Sequence, residues 1–189
     1  MPKILAFSGS TREGSFNRKL IALGAAAVRA AGGEVTELDL RDYRLPVYDT
    51  DLESQGVPDN ARRLAELFSE HQGFLIASPE YNSGYSPLIK NTIDWISRVK
   101  PGSVNLTPFA DKFAGLMAAS PGGFGGLRGL LQLRTVLSYI KVHVLHHQVT
   151  ISSAHEAFDE AGQLKNPSHQ KGVEGVAGEL VRILTKLTD

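Results

Sequence analysis

The chain of 189 residues contains no cysteine. This absence excludes disulfide bonds, thiolate metal sites and cysteine nucleophiles, so any redox chemistry requires a bound cofactor. An excess of charge of either sign is missing as well, because 20 Lys and Arg residues balance 20 Asp and Glu residues. Nucleic acids and anionic membranes both attract basic proteins, and a formal net charge of zero therefore favours a small-molecule partner.

Long apolar runs are also absent. No stretch approaches the roughly 20 apolar residues that span a bilayer, and the apolar run near Met1 is too short for the core of a signal peptide. We therefore expect a cytoplasmic protein with no membrane partner. A chain of this length that is 42% hydrophobic can bury one sizeable core, and we expect a single domain over residues 1–189.

What the sequence does contain is an alternation of short aliphatic runs with longer segments of helical period. This alternation is typical of βα units that are stacked into a parallel sheet. Strands are predicted at Lys3–Ser8, Glu34–Leu38, Gly73–Ser78, Lys112–Ser120 and Val142–Thr150. Helices are predicted at Ser15–Ala31, Asp59–His71, Leu88–Arg98, Leu127–Tyr139 and Pro167–Leu187. Two long irregular surface segments remain, Asp39–Pro58 and Lys100–Asp111.

Three unusual loops follow the first, third and fourth predicted strands. In a doubly wound sheet, ligands bind beyond the carboxyl ends of the strands where the strand order reverses, so these loops are the candidate site. Loop 1 (Gly9–Asn17) combines several hydroxyls, an amide and Arg12 with the start of a helix, which is a donor set suited to a dianionic phosphate. No acid occurs from Gly14 to Gly33, which leaves the positive end of the helix free for an anion. The alternative for loop 1 is a capped helix after a glycine turn.

Other phosphate-binding motifs are absent from the chain. There is no G-x-x-x-x-G-K-[ST], which argues against a Walker NTPase, and no G-x-G-x-x-G. Asp39 falls near the position where a dinucleotide-binding fold places its ribose-binding acid. Without the glycine motif we interpret Asp39 as a loop residue at the end of a strand.

Loops 2 and 3 add polar backbone at the same edge of the predicted sheet. Loop 2 (Ser78–Pro87) is stiffened by prolines near both ends, and its Asn82, Ser83 and Gly84 tolerate tight turns that direct backbone N–H and C=O groups outward. Such a polar rim suits a flat heterocycle. Loop 3 (Ser120–Gly126) has four glycines, which permit close approach of the backbone to a ligand. Loops 2 and 3 taken singly could each be an ordinary turn.

These residues resemble the NADPH-dependent FMN reductases, a family that includes quinone, chromate and azo-dye reductases. The resemblance rests on Gly9-Ser10-x-Arg12-x-x-Ser15-x-Asn17, on Pro79-Glu80-Tyr81-Asn82-Ser83 and on Leu88-x-Lys90-Asn91-x-x-Asp94-Trp95. It implies a flavodoxin-like α/β fold, a doubly wound five-stranded parallel sheet of order 2-1-3-4-5 with helices on both faces. It also implies a homodimer or homotetramer. The glycine content of loop 3 is higher than the resemblance leads us to expect.

The resemblance further implies an enzyme that transfers hydride from NADPH or NADH to FMN and then to a small acceptor by a ping-pong mechanism. It assigns the FMN phosphate to loop 1, the isoalloxazine ring to loop 2 and the completion of the pocket to loop 3. The implied cofactor-binding residues are Ser10, Arg12, Ser15, Phe16, Asn17, Pro79, Glu80, Tyr81, Asn82, Ser83, Ser120, Gly122 and Gly123. No catalytic side chain is expected, because flavin carries the chemistry.

Two other functions remain open at this stage: a flavodoxin-type electron carrier without its own turnover, and a redox-sensing flavoprotein. Among single residues, a carboxylate beside a reduced anionic ring would oppose its formation, so we expect the Glu80 side chain to point away from the ring. Trp95 is expected in the core. His143 and His147 are predicted to share one face of a strand, with His146 on the other, and no metal site is expected.

Overall fold

The computed structural model describes residues 1–100 and 103–188. Pro101 and Gly102, which belong to the second predicted irregular segment, lie outside the described residues, as does Asp189. The strands are β1 (Lys3–Ser8), β2 (Glu34–Leu38), β3 (Gly73–Ala77), β4 (Glu80–Tyr81), β5 (Gly84–Tyr85), β6 (Phe113–Ala119) and β7 (His143–Ile151). The helices are α1 (Phe16–Ala30), α2 (Thr50–Gln55), α3 (Asp59–Glu70), α4 (Pro87–Ile96), α5 (Leu127–Tyr139), α6 (Ala154–Ala157) and α7 (Pro167–Thr188).

Five of these strands form one parallel sheet in the order β2-β1-β3-β6-β7. Because β4 and β5 form a separate antiparallel hairpin, this is the order 2-1-3-4-5 of the five predicted strands, and the flavodoxin-like prediction is confirmed. The five predicted helices correspond to α1, α3, α4, α5 and α7 within a few residues at each end. None of the helices in the described part of the chain combines the length and apolar character needed to cross a membrane.

The three central strands of the sheet are buried on both faces, which explains why β1, β3 and β6 are nearly continuous apolar runs, whereas the edge strands β2 and β7 carry polar residues. Along β1, Ile4 and Ala6 pack with α1 and α7, whereas Leu5 and Phe7 pack with α3, α4 and α5. This alternation follows from the two-residue period of a strand. The two helical layers therefore fix the sheet from both sides and direct the three loops to its carboxyl edge.

The irregular segment Asp39–Pro58 was wrongly predicted to lack regular structure. It contains a 3₁₀ helix at Leu40–Asp42 and the helix α2. Both begin at an aspartate whose side chain accepts a hydrogen bond from a backbone N–H two residues later, Asp39 from Arg41 and Asp49 from Asp51. These short elements carry too few residues for a helical period to be visible in the sequence.

The prediction for the histidines was also wrong in part. A register shift between β6 and β7 opposite residues 114–116 interrupts the alternation of side chains along β7. As a result His146 and His147 both approach α7, His146 at 3.5 Å from Glu179 and His147 beside Gly175. His143 stacks on Phe113 instead. Within residues 1–100 and 103–188, no group of three or more His, Asp or Glu side chains is arranged to hold a metal ion.

Candidate functional site

Loop 1 begins with a glycine that the packing requires. The Gly9 N–H donates to the Ala77 carbonyl at 2.9 Å, and a Cβ at Gly9 would lie 2.4 Å from the side chain of Ile89. Only glycine therefore lets loop 1 pass this close to α4. The close approach places Ser10 and Ser15 in buried positions at the carboxyl edge of the sheet, while Arg12 stays exposed.

The start of α1 lacks the groups that usually neutralise a helix N-terminus. Ser15 is its N-cap residue, but the side chain makes no capping hydrogen bond, and the first turn contains no acid. The N–H groups and the positive end of the dipole therefore remain available to an external anion. The Arg12 guanidinium lies over the Phe16 ring at 5.6 Å, which holds a cation beside this helix start.

Asn17 joins loop 1 to the end of β6. Its Nδ2 donates to the Ala119 carbonyl at 2.8 Å, and the Ala119 N–H donates to its Oδ1 at 2.9 Å. The residue is only 2% exposed. The side chain that the resemblance assigns to FMN thus positions loop 1 against loop 3.

Loop 2 contains the β4–β5 hairpin, which the sequence did not predict. Its two turn residues, Asn82 and Ser83, have φ values of 50° and 66°, as a tight hairpin turn requires. The Gln132 Nε2 donates to the Ser83 carbonyl at 2.9 Å and holds the hairpin against α5. Tyr81 stands on the hairpin with 52% of its surface exposed.

The carboxylate of Glu80 is bound to the start of α5. One oxygen accepts a hydrogen bond from the Gly129 N–H at 3.0 Å, and the other accepts one from Nη2 of Arg128 at 3.0 Å. The helix terminus and the guanidinium together offset the negative charge of this largely buried side chain. The Glu80 carboxylate therefore joins loop 2 to the helix that follows loop 3.

The glycines of loop 3 fall into two pairs with different surroundings. Gly125 and Gly126 have φ values of 61° and 94°, and a Cβ on either would lie within 2.8 Å of the ends of β7 and β6. Gly122 and Gly123 have no such neighbours: a Cβ on Gly123 would meet nothing within 4 Å. Of the two pairs, Gly122 and Gly123 leave open backbone at the edge of the site, whereas packing within the protein requires glycine at positions 125 and 126.

The three loops enclose a cleft of about 110 Å³, which we call the loop cleft. Most of the predicted site residues line it, namely Ser10, Arg12, Ser15, Phe16, Asn17, Pro79, Glu80, Tyr81 and Ser120. Asn82, Ser83, Gly122 and Gly123 belong to the same loops but lie outside this lining. Ala119 and Pro121 line it as well and were not predicted, because neither carries a polar group that marks it in a sequence.

The third motif of the sequence has a structural role. Asn91 accepts the Tyr48 N–H at 2.7 Å and donates to the Pro46 carbonyl, to which Trp95 Nε1 also donates at 2.8 Å. Trp95 is fully buried, as predicted, and packs edge-on against Tyr48. These contacts hold the segment Asp39–Pro58 against α4. Their partners are more than 40 residues apart in the chain, so no local sequence pattern predicts them.

Known proteins with similar sequences share one description. The model of the NADPH-dependent FMN reductase family matches residues 2–156. An NAD(P)H-dependent FMN reductase of Pseudomonas aeruginosa is 37% identical over 167 residues, which cover 86% of this chain and 84% of the relative. An NAD(P)H:quinone oxidoreductase of Solanum tuberosum is 32% identical and covers 98% of this chain and 94% of its own length.

Solved structures with the same fold are also found. The flavoenzyme NAD(P)H:(acceptor) oxidoreductase FerB of Paracoccus denitrificans superposes with a TM-score of 0.83 at 25% identity, over 98% of each chain. The family match extends from β1 to α6 and so includes all three loops of the site. The chain belongs to the NADPH-dependent FMN reductase family.

Proposed function

We propose that this chain is an NAD(P)H-dependent FMN oxidoreductase that reduces a small acceptor of the quinone class. The observation that carries the proposal is the uncapped start of α1, which shares one cleft with two buried serine hydroxyls, Arg12 and the polar backbone of loops 2 and 3. A helix N-terminus with this donor set suits a phosphate, and an adjacent polar rim suits a flat ring with several carbonyls and nitrogens. The family to which the chain belongs consists of flavin-dependent oxidoreductases.

In this proposal each loop contributes a different part of the FMN site. Ser10, Ser15 and the backbone of Phe16 and Asn17 would bind the phosphate, with Arg12 as the counter-charge. Residues 79–83 would line the ring through their backbone, with Ser120, Gly122 and Gly123 on the other side. Because the Glu80 carboxylate is bound to α5, it adds no uncompensated negative charge at the ring.

No side chain in the loop cleft has to act as a nucleophile. Bound FMN supplies the hydride chemistry, and the protein holds the cofactor, leaves one side accessible and excludes water from the rest. A cleft of about 110 Å³ is smaller than the roughly 300–1,000 Å³ of a typical small-molecule site, so part of a flat ring would remain accessible at the rim. Donor and acceptor would use this accessible side in turn.

The quinone class is proposed because the relatives of Solanum tuberosum and Escherichia coli, each 32% identical, are named quinone reductases, whereas the relative of Pseudomonas aeruginosa is named for FMN. Chromate, azo compounds and free flavin stay predictions of the sequence. A flavodoxin-type carrier is the second candidate, and the zero net charge and Arg12 in the phosphate loop argue against it, because such carriers tend to be strongly acidic with neutral phosphate loops.

Initial-rate kinetics test the proposed cycle. If donor and acceptor occupy the same side in turn, plots of reciprocal rate against reciprocal NADPH concentration at several fixed quinone concentrations should be parallel lines, as in any ping-pong reaction. Intersecting lines would require both substrates to be bound together and would contradict the shared side. A carrier or sensor would show no steady consumption of NADPH with quinone.

The proposal includes a homodimer or homotetramer whose interface adjoins the loop cleft. Large apolar side chains are exposed at this edge, including Tyr81 at 52% and Phe124 at 63%. A second subunit would cover them together with the exposed part of the cofactor. A cytoplasmic location stays a prediction of the sequence.

A further inference from the structure

A second cleft lies between α1 and β2, which we call the α1–β2 cleft. It has a volume of about 450 Å³, within the roughly 300–1,000 Å³ of small-molecule sites. Ser10 and Ser15 line both this cleft and the loop cleft, so the two cavities adjoin at loop 1. The α1–β2 cleft therefore begins where the proposed FMN phosphate would end.

The interior of the α1–β2 cleft is apolar enough to take a flat base. Its apolar lining comes from β1, α1 and the segment that follows β2, and consists of Ala6, Ile21, Ala22, Leu38 and Leu40. Most of these side chains are buried, but Ala22 is exposed at the mouth. Apolar walls with a few polar groups are the usual composition of a ligand pocket.

One of the polar groups in the lining is an unpaired hydroxyl. Ser8 is 6% exposed, and its Oγ has no hydrogen-bond partner among the residues that the structure describes. Ser8 lies on the same face of β1 as Ala6, two residues away, and both line the cleft beside α1. Buried polar atoms are nearly always paired, so an unpaired one beside a cavity points to a missing partner such as a ligand nitrogen.

The polar lining of the cleft includes two cations, Arg18 and Lys19, and two carboxylates, Asp39 and Glu37, of which Glu37 is paired with Arg29. Arg18 and Lys19 lie on the first turns of α1, and Arg18 Nη2 donates to Asp39 Oδ2 at 3.1 Å. The side-chain hydrogen bond from Arg41 holds the pKa of Asp39 below its usual range, so this carboxylate stays ionised and keeps Arg18 in place. This contact uses only one of the five guanidinium N–H groups, and the others can meet a phosphate or ribose oxygen.

We propose that the α1–β2 cleft binds the adenosine end of a dinucleotide, with the base beside Ser8 and the ribose or phosphates toward Arg18. The carboxyl end of the second strand is also where nucleotide-binding α/β folds place a ribose. The proposal rests on the proposed function, in which one adenosine-bearing molecule, the donor NAD(P)H, takes part. A second molecule that carries the same group is FAD, which is FMN extended at its phosphate by adenylate. The cleft recognises the adenosine group that both molecules carry.

Substitutions outside the loop cleft can test this assignment. Ala22→Phe would fill the mouth of the α1–β2 cleft from an exposed position, and Ser8→Ala would remove the unpaired hydroxyl. Ala26→Phe is the matched control, because Ala26 is exposed one turn further along α1 and does not line the cleft. Equal thermal midpoints and equal FMN affinities of the two phenylalanine variants would establish that the fold and the loop cleft are intact.

The first arm measures the donor. We expect Ala22→Phe to raise the KM for NADPH and NADH about tenfold with kcat unchanged, because it removes binding that is equal in the ground and transition states. The KM for reduced nicotinamide mononucleotide, which lacks adenosine, should not change. Ser8→Ala should give a smaller rise in the same direction, and Ala26→Phe should behave as the unmodified chain does.

The second arm measures FAD against FMN by fluorescence titration of the apoprotein. A loss of FAD affinity in Ala22→Phe with FMN affinity unchanged would assign the cleft to the adenylate of FAD. If Ala22→Phe changes neither the KM for NAD(P)H nor the affinity for FAD, the proposal is wrong. In that case, turnover with reduced nicotinamide mononucleotide would show that the proposed function still holds although the cleft assignment is wrong. Absence of turnover with every donor would contradict the proposed function, and the FAD titration alone would then test whether the cleft binds adenosine.

Discussion

At the scale of single residues, two kinds of side chain form the site. Some hold neighbouring elements together, and others are placed to contact a ligand. Asn17 and Glu80 both belong to motifs typical of the family, yet each places its polar atoms on the backbone of a neighbouring element. Ser10 and Ser15 are buried beside the start of α1, and Arg12 is the exposed cation of loop 1. Replacing Arg12 by an uncharged residue therefore tests whether loop 1 binds the FMN phosphate, with little effect on folding.

Arg12→Ala should weaken FMN binding by about 1.5–3 kcal/mol, the range for a lost hydrogen bond to a charged group. The free energy of unfolding of the apoprotein should be nearly unchanged, because Arg12 is exposed. Quenching of FMN fluorescence gives the affinity, and Arg182→Ala, at an exposed arginine of α7, is the control for a general loss of positive charge. Unchanged FMN affinity in Arg12→Ala would place the phosphate elsewhere.

At the scale of elements, a small number of specific hydrogen bonds join α1 to β6 and the β4–β5 hairpin to α5. The carboxamide of Asn17 joins α1 to β6 by two bonds, and the carboxylate of Glu80 joins the hairpin to α5. Such contacts at the carboxyl edge of the sheet fix the loops relative to one another. A preorganised site of this kind requires little rearrangement when a ligand binds.

Asn17→Ala should lower the free energy of unfolding by about 2–4 kcal/mol, because both backbone groups of Ala119 lose a buried partner. Urea unfolding of the apoprotein measures this loss without any contribution from the cofactor. Asn60→Ala provides the comparison, since the two hydrogen bonds of Asn60, to the Arg44 carbonyl and from the Arg63 guanidinium, are both exposed and their loss should cost under about 1 kcal/mol. Equal losses in the two variants would mean that Asn17 does not hold the loops together.

The elements also show how far the sequence could predict the structure. The sheet strands and the five long helices are visible because their apolar residues repeat with a period of two or about 3.6, or form short continuous runs. The β4–β5 hairpin has two residues in each strand, too few for a period, and only Asn82, Ser83 and Gly84 marked a turn in the sequence. The contacts of Asn91 with Pro46 and of Glu80 with Gly129 join distant positions and could not be read locally. In loop 3 the sequence could not separate glycines that open the site from glycines that packing requires.

At the scale of the whole molecule, the doubly wound sheet collects the three loops at one edge, where the aromatic side chains of Tyr81 and Phe124 are exposed. We expect a homodimer or homotetramer in solution, because a second copy would bury Tyr81 and Phe124 and a net charge of zero gives little repulsion between copies. Light scattering on the FMN-loaded protein at micromolar concentration measures the assembly. A mass near 20.4 kDa for an active sample would show a functional monomer and contradict this prediction.

The central proposal, that the chain itself uses NAD(P)H to reduce a cofactor held by loops 1, 2 and 3, can be tested by anaerobic absorbance spectroscopy of the FMN-loaded protein. One equivalent of NADPH or NADH should bleach the flavin absorption in the absence of any acceptor, and a quinone added afterwards should restore it. Arg12→Ala at saturating FMN should bleach as well, because the chemistry belongs to the cofactor and the residue only binds it. If neither nicotinamide bleaches a flavin that dithionite does reduce, the chain is an electron carrier or sensor and the proposed enzyme is wrong.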